Sequence, residues 1–280
     1  MNTLGEWRAH LRTQLQPISD TAALDAQVLL ARLLQRDRAW VLAHPEAKIS
    51  PAQQKQLTEQ LNRLQNGAPL PYVLGEWEFY ALSFEVTPAV LIPRPETELL
   101  VDTALAWLRA HPTRTRVADI GTGSGCIAVA LAHQHPSLHV LAADISENAL
   151  LVAARNATRH HVETRIQFGY GDLLENVPAP LDMICANLPY LPSPTLPTLD
   201  VSTREPTLAL DGGADGLRLI DRLLAQSVEK LTSGGIILLE VDASHGETAP
   251  ALARERFPKA HIEMKRDLAG KPRLVTIESR

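Results

Sequence analysis

The stretch VADIGTGSG at residues 117–125 predicts a buried strand that turns through a glycine-rich loop into a helix. Glycines at alternate positions let the backbone turn tightly and approach a ligand closely. The Ala- and Leu-rich segment 126–133 follows at once, so the N-terminus of a helix is aimed at the loop. Taken alone, such a loop is a weak signal that is also compatible with a purely structural turn, so further residues are needed to distinguish the two.

Strands and helices alternate after this loop along most of the chain. Further strands are predicted at 140–143, 165–168, 181–186 and 236–241, and further helices at 147–159 and 217–231. This order predicts an α/β fold with a Rossmann-like, mostly parallel sheet and helices on both faces. The end of the chain differs, because a helix at 250–256 precedes strands at 261–265 and 274–277 that are close enough to form an antiparallel hairpin.

The part of the chain before residue 68 has helical periodicity throughout. Its best-marked helix has Ser50 as N-cap, Pro51 at the first helical position and Gln53 three residues after the cap, which is a capping-box pattern. A β pattern follows around 77–86, and Pro93-Arg94-Pro95 is predicted to open the next helix. We therefore predict an N-terminal helical domain at 1–72, a linker β-hairpin at 73–92 and an α/β domain at 93–280.

Composition excludes several classes of protein. The 280 residues carry a net charge of -5, which argues against a chain built mainly to neutralise phosphates. Cys126 and Cys185 are the only cysteines, too few for a secreted disulfide scaffold. The start of the chain lacks the apolar segment of a signal peptide, and no run approaches the ~18 apolar residues of a membrane span. These observations predict a cytoplasmic location.

Two acids follow the predicted strands after the glycine loop. Asp144 ends the second strand, 19 residues after Gly125, where an α/β fold offers a carboxylate to ribose hydroxyls. Asp172 follows the third strand and is placed to accept a hydrogen bond from the exocyclic amine of an adenine. The Gly-x-Gly-x-Gly spacing differs from that of dinucleotide enzymes, which hold a pyrophosphate, so a ligand with adenosine but no phosphate fits better.

The quartet Asn187-Leu188-Pro189-Tyr190 follows the predicted strand at 181–186. Ligands of open α/β sheets bind beyond the carboxyl ends of the strands, so an amide, a backbone carbonyl and an aromatic ring would face one site. The alternative is a strand exit with a turn-forming Asn and a Pro that stops the strand.

Together these motifs resemble class I S-adenosylmethionine-dependent methyltransferases and, within that class, the release-factor glutamine-N5 methyltransferases of the PrmC/HemK type. The narrowest part of the resemblance is IPRPETE at residues 92–98, where the sister family that methylates a ribosomal protein typically has Pro-Arg-Ser-Pro. Two departures stand out. Leu188 occupies a position where the family usually has Pro, and Asp242 and His245 stand where it tends to have Gly and Gln.

The resemblance implies methyl transfer from S-adenosyl-L-methionine to the side-chain amide nitrogen (N5) of the glutamine in the Gly-Gly-Gln loop of class 1 peptide chain release factors. Asn187 Oδ1 and the Leu188 carbonyl would accept the two amide hydrogens, and Tyr190 would wall the pocket. Asp119 would lie near the methionine amino end, and the helical domain would grip the release factor. The implied cofactor residues are Asp119, Gly121, Thr122, Gly123, Ser124, Gly125, Asp144, Asp172, Leu173 and Asn187, and the implied catalytic and substrate-binding residues are Asn187, Leu188, Pro189 and Tyr190.

Three other functions are compatible with the same motifs. They are glutamine methylation of a ribosomal protein, amino-group methylation of nucleic acid, and cofactor binding without catalysis. The acidic net charge counts against nucleic acid, and the presence of Asn187 and Tyr190 counts against a decayed site. No metal is expected, because no Cys or carboxylate completes a ligand set around His133, His135 and His139.

Overall fold

The computed structural model describes all 280 residues, which divide into the units Met1–Gly75 and Glu76–Arg280. The first unit is helical, and leucines on the inner faces of its helices form its core. The predicted Ser50–Gln53 capping box is confirmed, and a second capping box of Thr3 and Glu6 starts the first helix. The helices of this unit are α1 (Leu4–Leu15), α2 (Ala22–Leu34), α3 (Arg38–Ala43), α4 (Pro51–Gln65) and α5 (Leu70–Leu74).

The second unit is an α/β structure. Its elements are β1 (Glu76–Phe79), β2 (Leu82–Glu85), α6 (Glu98–Ala110), β3 (Arg116–Ile120), α7 (Cys126–Gln134), β4 (His139–Asp144), α8 (Glu147–Arg159), β5 (Ile166–Tyr170), β6 (Leu181–Ala186), β7 (Leu191–Pro192), β8 (Asp211–Gly213), α9 (Arg218–Ser227), β9 (Leu231–Glu240), α10 (Thr248–Arg256), β10 (His261–Arg266) and β11 (Pro272–Glu278).

The main sheet has seven strands in the order β10-β11-β9-β6-β3-β4-β5. The five strands from β9 to β5 are parallel, and β10 and β11 are antiparallel, as the sequence predicts. Apolar side chains cover both faces of the sheet, so every residue of the central strand β6 is buried. The strand order reverses between β3 and β6, and open α/β sheets bind ligands beyond the carboxyl ends of the strands at such a point.

Three predicted elements differ from the observed ones. The helix predicted at 217–231 ends at Ser227, because β9 already starts at Leu231, where it pairs with Leu181. The helix expected to open at Pro93 is first a short 3-10 turn, Pro95–Thr97, and becomes α-helical only at Glu98. The hairpin predicted as a linker belongs to the second unit, because Phe79 and Phe84 are buried in its core.

The sequence did not predict the small two-stranded sheet formed by β7 and β8. These strands are only two and three residues long, too short to show a period. None of the helices of the chain combines the length and the apolar character that a membrane span requires.

Candidate active site

The glycine loop leaves β3 at the reversal of strand order. Gly121, Gly123 and Gly125 all have positive φ angles, of 71°, 55° and 79°, which side chains other than glycine rarely adopt. A Cβ atom on Gly121 would lie 3.1 Å from Leu188 Cδ2, and one on Gly125 would lie 3.0 Å from Ala153 Cβ. The loop therefore needs its glycines both for conformation and for close packing.

A cavity of about 660 Å³ opens beside this loop. It brings together side chains from the carboxyl ends of β3, β4 and β6 with the segments 89–94 and 206–209. Ten of the predicted site residues line it, namely Gly121, Thr122, Gly123, Ser124, Asp144, Asp172, Leu173, Asn187, Leu188 and Pro189. Three predicted site residues do not line it, namely Asp119, Gly125 and Tyr190.

Asp119 lies fully buried beneath the glycine loop. Its Oδ2 accepts hydrogen bonds from Thr122 Oγ1 at 2.6 Å and from the Ala128 amide at 3.2 Å, while Oδ1 has no partner. Burial raises the pKa of this carboxyl group to about 7, although both hydrogen bonds oppose the change. These contacts tie the loop to the start of α7. Asp119 therefore supports the loop from beneath and does not line the cavity itself.

Asp144 combines a place on the cavity wall with a contact to the glycine loop. Its Oδ2 accepts from the Gly123 amide at 2.9 Å, and its Oδ1 accepts from the Ser146 amide at 2.9 Å. Burial raises the pKa of Asp144, while these backbone amides act in the opposite direction. Each carboxylate oxygen can accept a further hydrogen bond, so the side chain remains available to ligand hydroxyls.

Asp172 is ion-paired in the structure, which the sequence did not predict. Arg222 Nη2 of α9 lies 2.7 Å from Asp172 Oδ2, and Arg222 itself lines the cavity. The other carboxylate oxygen has no such partner and can still accept from an amine. Arg218 and Arg222 stand four residues apart on α9, which could have indicated a shared face but not the partner.

Asn187 is held by two residues that the sequence did not identify as part of the site. Its Nδ2 donates to Thr97 Oγ1 at 3.1 Å, and both side chains are close enough to the carboxyl group of Glu240 to lower its pKa against the effect of burial. Burial raises the pKa of Glu240 to about 7, and its Oε2 has no hydrogen-bond partner. Because Thr97 holds the side-chain nitrogen of Asn187, the oxygen Oδ1 remains free to accept a hydrogen bond from a ligand in the cavity.

Tyr190 was expected to wall the pocket, but it is not among the residues that line this cavity. Successive side chains of an extended chain point to opposite sides, and Pro189 faces the cavity just before the chain enters β7. Tyr190 is half-buried, and burial together with the nearby carboxylate of Glu240 raises the pKa of its phenol to about 12.

The rim of the cavity is fastened by one buried carboxylate. Glu205 Oε2 accepts from the Ile92 amide at 3.0 Å, and Glu205 Oε1 forms an ion pair with Arg94. These contacts join the segments 89–94 and 206–209, both of which line the cavity. The sequence marked residues 92–98 by resemblance, but no spacing indicated that they would meet the segment 206–209.

Comparisons with known proteins agree with this architecture. The family model described as PrmC N-terminal domain matches residues 6–75, and the model described as methyltransferase small domain matches residues 96–194. Among solved structures, the ribosomal protein L11 methylase of Lactobacillus delbrueckii subsp. bulgaricus has a TM-score of 0.50 and 22% identity, covering 67% of this chain and 81% of that chain. A T. thermophilus 16S rRNA N2 methyltransferase in complex with AdoMet and guanosine has a TM-score of 0.51 and 17% identity, covering 73% of this chain and 50% of that chain. The fold is that of a class I methyltransferase.

Curated relatives define the family more narrowly. A release factor glutamine methyltransferase of Moorella thermoacetica is 40% identical over 252 residues, which cover 89% of this chain and 89% of the relative. One of Coxiella burnetii is 36% identical over 276 residues, which cover 98% of both. The chain belongs to the release factor glutamine methyltransferase family.

Proposed function

We propose that this protein transfers a methyl group from S-adenosyl-L-methionine to the N5 amide nitrogen of the glutamine in the Gly-Gly-Gln loop of a class 1 peptide chain release factor. The observation that carries this proposal is the carboxamide of Asn187, whose nitrogen is held by Thr97 so that its oxygen is free beside the glycine loop. The names of the relatives support release factors over a ribosomal protein, nucleic acid or a non-catalytic role.

The cavity fits an adenosine-containing cofactor without phosphate. The glycine loop offers backbone at close approach, Asp144 offers acceptors for ribose hydroxyls, and one oxygen of Asp172 remains for an adenine amine. When bound, S-adenosyl-L-methionine supplies an electrophilic methyl group on a positively charged sulfur.

The quartet supplies orientation for a weak nucleophile. The lone pair of a primary amide nitrogen is delocalised into its carbonyl, so the site must hold the nitrogen with that lone pair toward the methyl group. Asn187 Oδ1 and the Leu188 carbonyl would each accept one N–H of the glutamine amide. Pro189 keeps the residue before it in an extended conformation, which holds that carbonyl in place. The same two dipoles stabilise the positive charge that develops on the nitrogen before it loses a proton.

The N-terminal unit would grip the release factor away from the reactive loop. This role is supported by the match of residues 6–75 to the PrmC N-terminal domain. The proposed partner is a protein of translation termination, with no direct contact to nucleic acid, and the proposed location is the cytoplasm.

The experiment that tests this function uses labelled S-adenosyl-L-methionine and a purified class 1 release factor. We expect label on the wild-type release factor and none when the glutamine of its Gly-Gly-Gln loop is replaced. The Asn187→Ala variant should lower kcat by about 100-fold or more, because it removes one preorganised acceptor, while the Kd of the cofactor stays within about threefold. Label that persists after the glutamine is replaced would contradict the assignment. An equal loss of cofactor binding would contradict the role of Asn187.

A further inference from the structure

We propose that Glu240 is the positioning residue of Asn187, and that its buried carboxyl group holds the amide nitrogen so that Oδ1 faces the substrate amide. This inference rests on the proposed function, since it concerns how the acceptor for the substrate glutamine is oriented. Glu240 touches neither substrate nor cofactor and acts through Asn187 and Thr97.

The topology of the sheet brings Glu240 and Asn187 together. Strands β6 and β9 are parallel neighbours, and Ala186 lies opposite Leu239 in their register. The next residue of each strand is therefore Asn187 on one side and Glu240 on the other, at the edge of the sheet where the cavity opens. Glu240 is only 1% exposed, so its carboxyl group interacts with protein and not with bulk water.

Thr97 completes the arrangement from the turn that precedes α6. Thr97 is 2% exposed, its Oγ1 accepts from Asn187 Nδ2 at 3.1 Å, and its side chain lowers the pKa of Glu240. Because the Thr97 oxygen accepts from the Asn187 amide, its hydroxyl hydrogen is free to donate to the carboxylate, and the orientation of the amide then depends on Glu240. An ionised carboxylate can only accept, so it excludes the flipped Asn187 rotamer in which Oδ1 would face it.

The charge state of Glu240 should therefore control this orientation. Burial raises the pKa of Glu240 to about 7. The protonated form carries an O–H donor that can serve the flipped rotamer, so methyl transfer should decline as the pH falls through that range. The charged or titratable groups that face Glu240 are Arg273 of β11, Glu96 of the turn before α6, Tyr190 after β6 and Cys126 of α7.

The first measurement follows the side-chain amide of Asn187 by nuclear magnetic resonance in the full-length protein without substrate. The two N–H signals are assigned by their loss in Asn187→Ala. In wild type they should shift with an inflection near pH 7, and in Glu240→Gln this inflection should be absent. Signals that titrate identically in both proteins would overturn the inference. Because no substrate is present, this result stands whether or not the release factor is methylated.

The second measurement is the rate of methylation of the release factor as a function of pH. Glu240→Gln offers both an acceptor and an N–H donor, as the protonated carboxyl group does, so its kcat at pH 8 should fall to the level that wild type reaches below pH 7, and the inflection near pH 7 should be absent. Glu240→Leu removes the acceptor and should lower kcat by about 100-fold without changing the Kd of the cofactor, as expected for a misplaced catalytic group. A KM effect without a kcat effect in Glu240→Leu would overturn the positioning role.

Asp182→Asn serves as the matched control. Asp182 is another buried carboxylate, at the opposite end of β6, and it is paired with Arg114 and Arg116 far from the cavity. This variant should lose stability but keep the kcat and the pH profile of wild type. If Asp182→Asn changed the pH profile as Glu240→Gln does, the change would reflect a general loss of structural stability, and the inference would be wrong. His245→Gln removes the one buried histidine of the chain, and if the inflection vanished in that variant, the titrating group would be His245 and the inference would be wrong.

Discussion

Leu188 is the residue at which this chain departs most visibly from the pattern of its family. Its side chain is 3% exposed and packs over the α-carbon of Gly121, while its backbone carbonyl is the group that the proposed mechanism uses. Because Pro189 already restricts the backbone of the preceding residue, the leucine can present its carbonyl much as a proline would. We therefore expect the protein to be active with leucine at this position.

Leu188→Pro tests whether the ring or the carbonyl matters. The change removes an N–H and some flexibility but leaves the carbonyl in place, so kcat/KM should change by no more than about threefold, or about 0.7 kcal/mol. Steady-state methylation of the release factor measures the effect. A change of more than tenfold in either direction would show that pocket rigidity, and not carbonyl placement, dominates.

Asp119 is the residue at which the pH dependence of stability should be visible. Its folded-state pKa is raised from 3.8 to about 7, so the folded protein binds this proton more tightly than the unfolded chain. Stability therefore falls as pH rises between those two values, by up to about 1.4 kcal/mol per pH unit for one group. Glu240 and Asp144 have raised pKa values and contribute in the same direction.

Asp119→Asn should reduce that loss. The amide oxygen can still accept from Thr122 and Ala128, but no charge is buried at high pH. The urea midpoint of the variant, measured without cofactor, should fall less than that of wild type between pH 5 and pH 8. Parallel pH curves for the two proteins would show that Asp119 does not titrate in this range.

At the scale of elements, the cavity depends on contacts between loops that are far apart in sequence. Glu205 fastens the segment before α6 through the Ile92 amide and Arg94, and Gly213 and Gly216 let the loop around β8 pack against Arg218 and Tyr190. No regular period marks these loops, since β7 and β8 have only two and three residues. The rim of the site is therefore set by a few polar contacts and glycines.

Glu205→Gln should loosen this rim. The amide still accepts from Ile92, but the ion pair with Arg94 is lost, so the free energy of unfolding should fall by about 1–3 kcal/mol. Urea unfolding measures it. The control is Asp221→Asn, which breaks the half-exposed pair with Arg256 and should cost less than about 1 kcal/mol. If both variants lost the same free energy of unfolding, Glu205 would stabilise the protein no more than an ordinary surface ion pair does.

At the scale of the whole molecule, the chain combines a helical unit with a methyltransferase unit, and each has its own hydrophobic core. The cavity is lined only by residues of the second unit. The chemistry can therefore be separated from recognition of a large substrate, which we propose for the first unit.

Removal of Met1–Gly75 tests this division. For a whole release factor, kcat/KM should fall by at least about tenfold, which corresponds to about 1.4 kcal/mol of binding free energy. Methylation of a short peptide with the Gly-Gly-Gln loop should change by less than about twofold. Unchanged cofactor affinity in the shortened protein is the control for folding. Equal losses on both substrates would remove the recognition role from the helical unit.

The sequence alone was sufficient for the features that are local. The period of apolar residues predicted the strands and most helices, and alternating glycines predicted a loop that only glycine can form, as the positive φ angles of Gly121 and Gly123 show. Strand ends also indicated where Asp144 and Asn187 would lie, because the carboxyl ends of parallel strands share one edge of the sheet. These inferences needed only neighbours in the chain and the general rule for such sheets.

Only the tertiary structure decided which side chains touch. Thr97, Asn187 and Glu240 meet at one point although about 90 and 50 residues separate them, because parallel strands are joined by crossovers whose length carries no information about contacts. The same reason hid the pair of Asp172 with Arg222, and only the structure showed that Tyr190 is not among the residues that line the cavity. The sequence thus determined which chemistry is present at the edge of the sheet, and the packing of strands and loops determined how the amide at its centre is held.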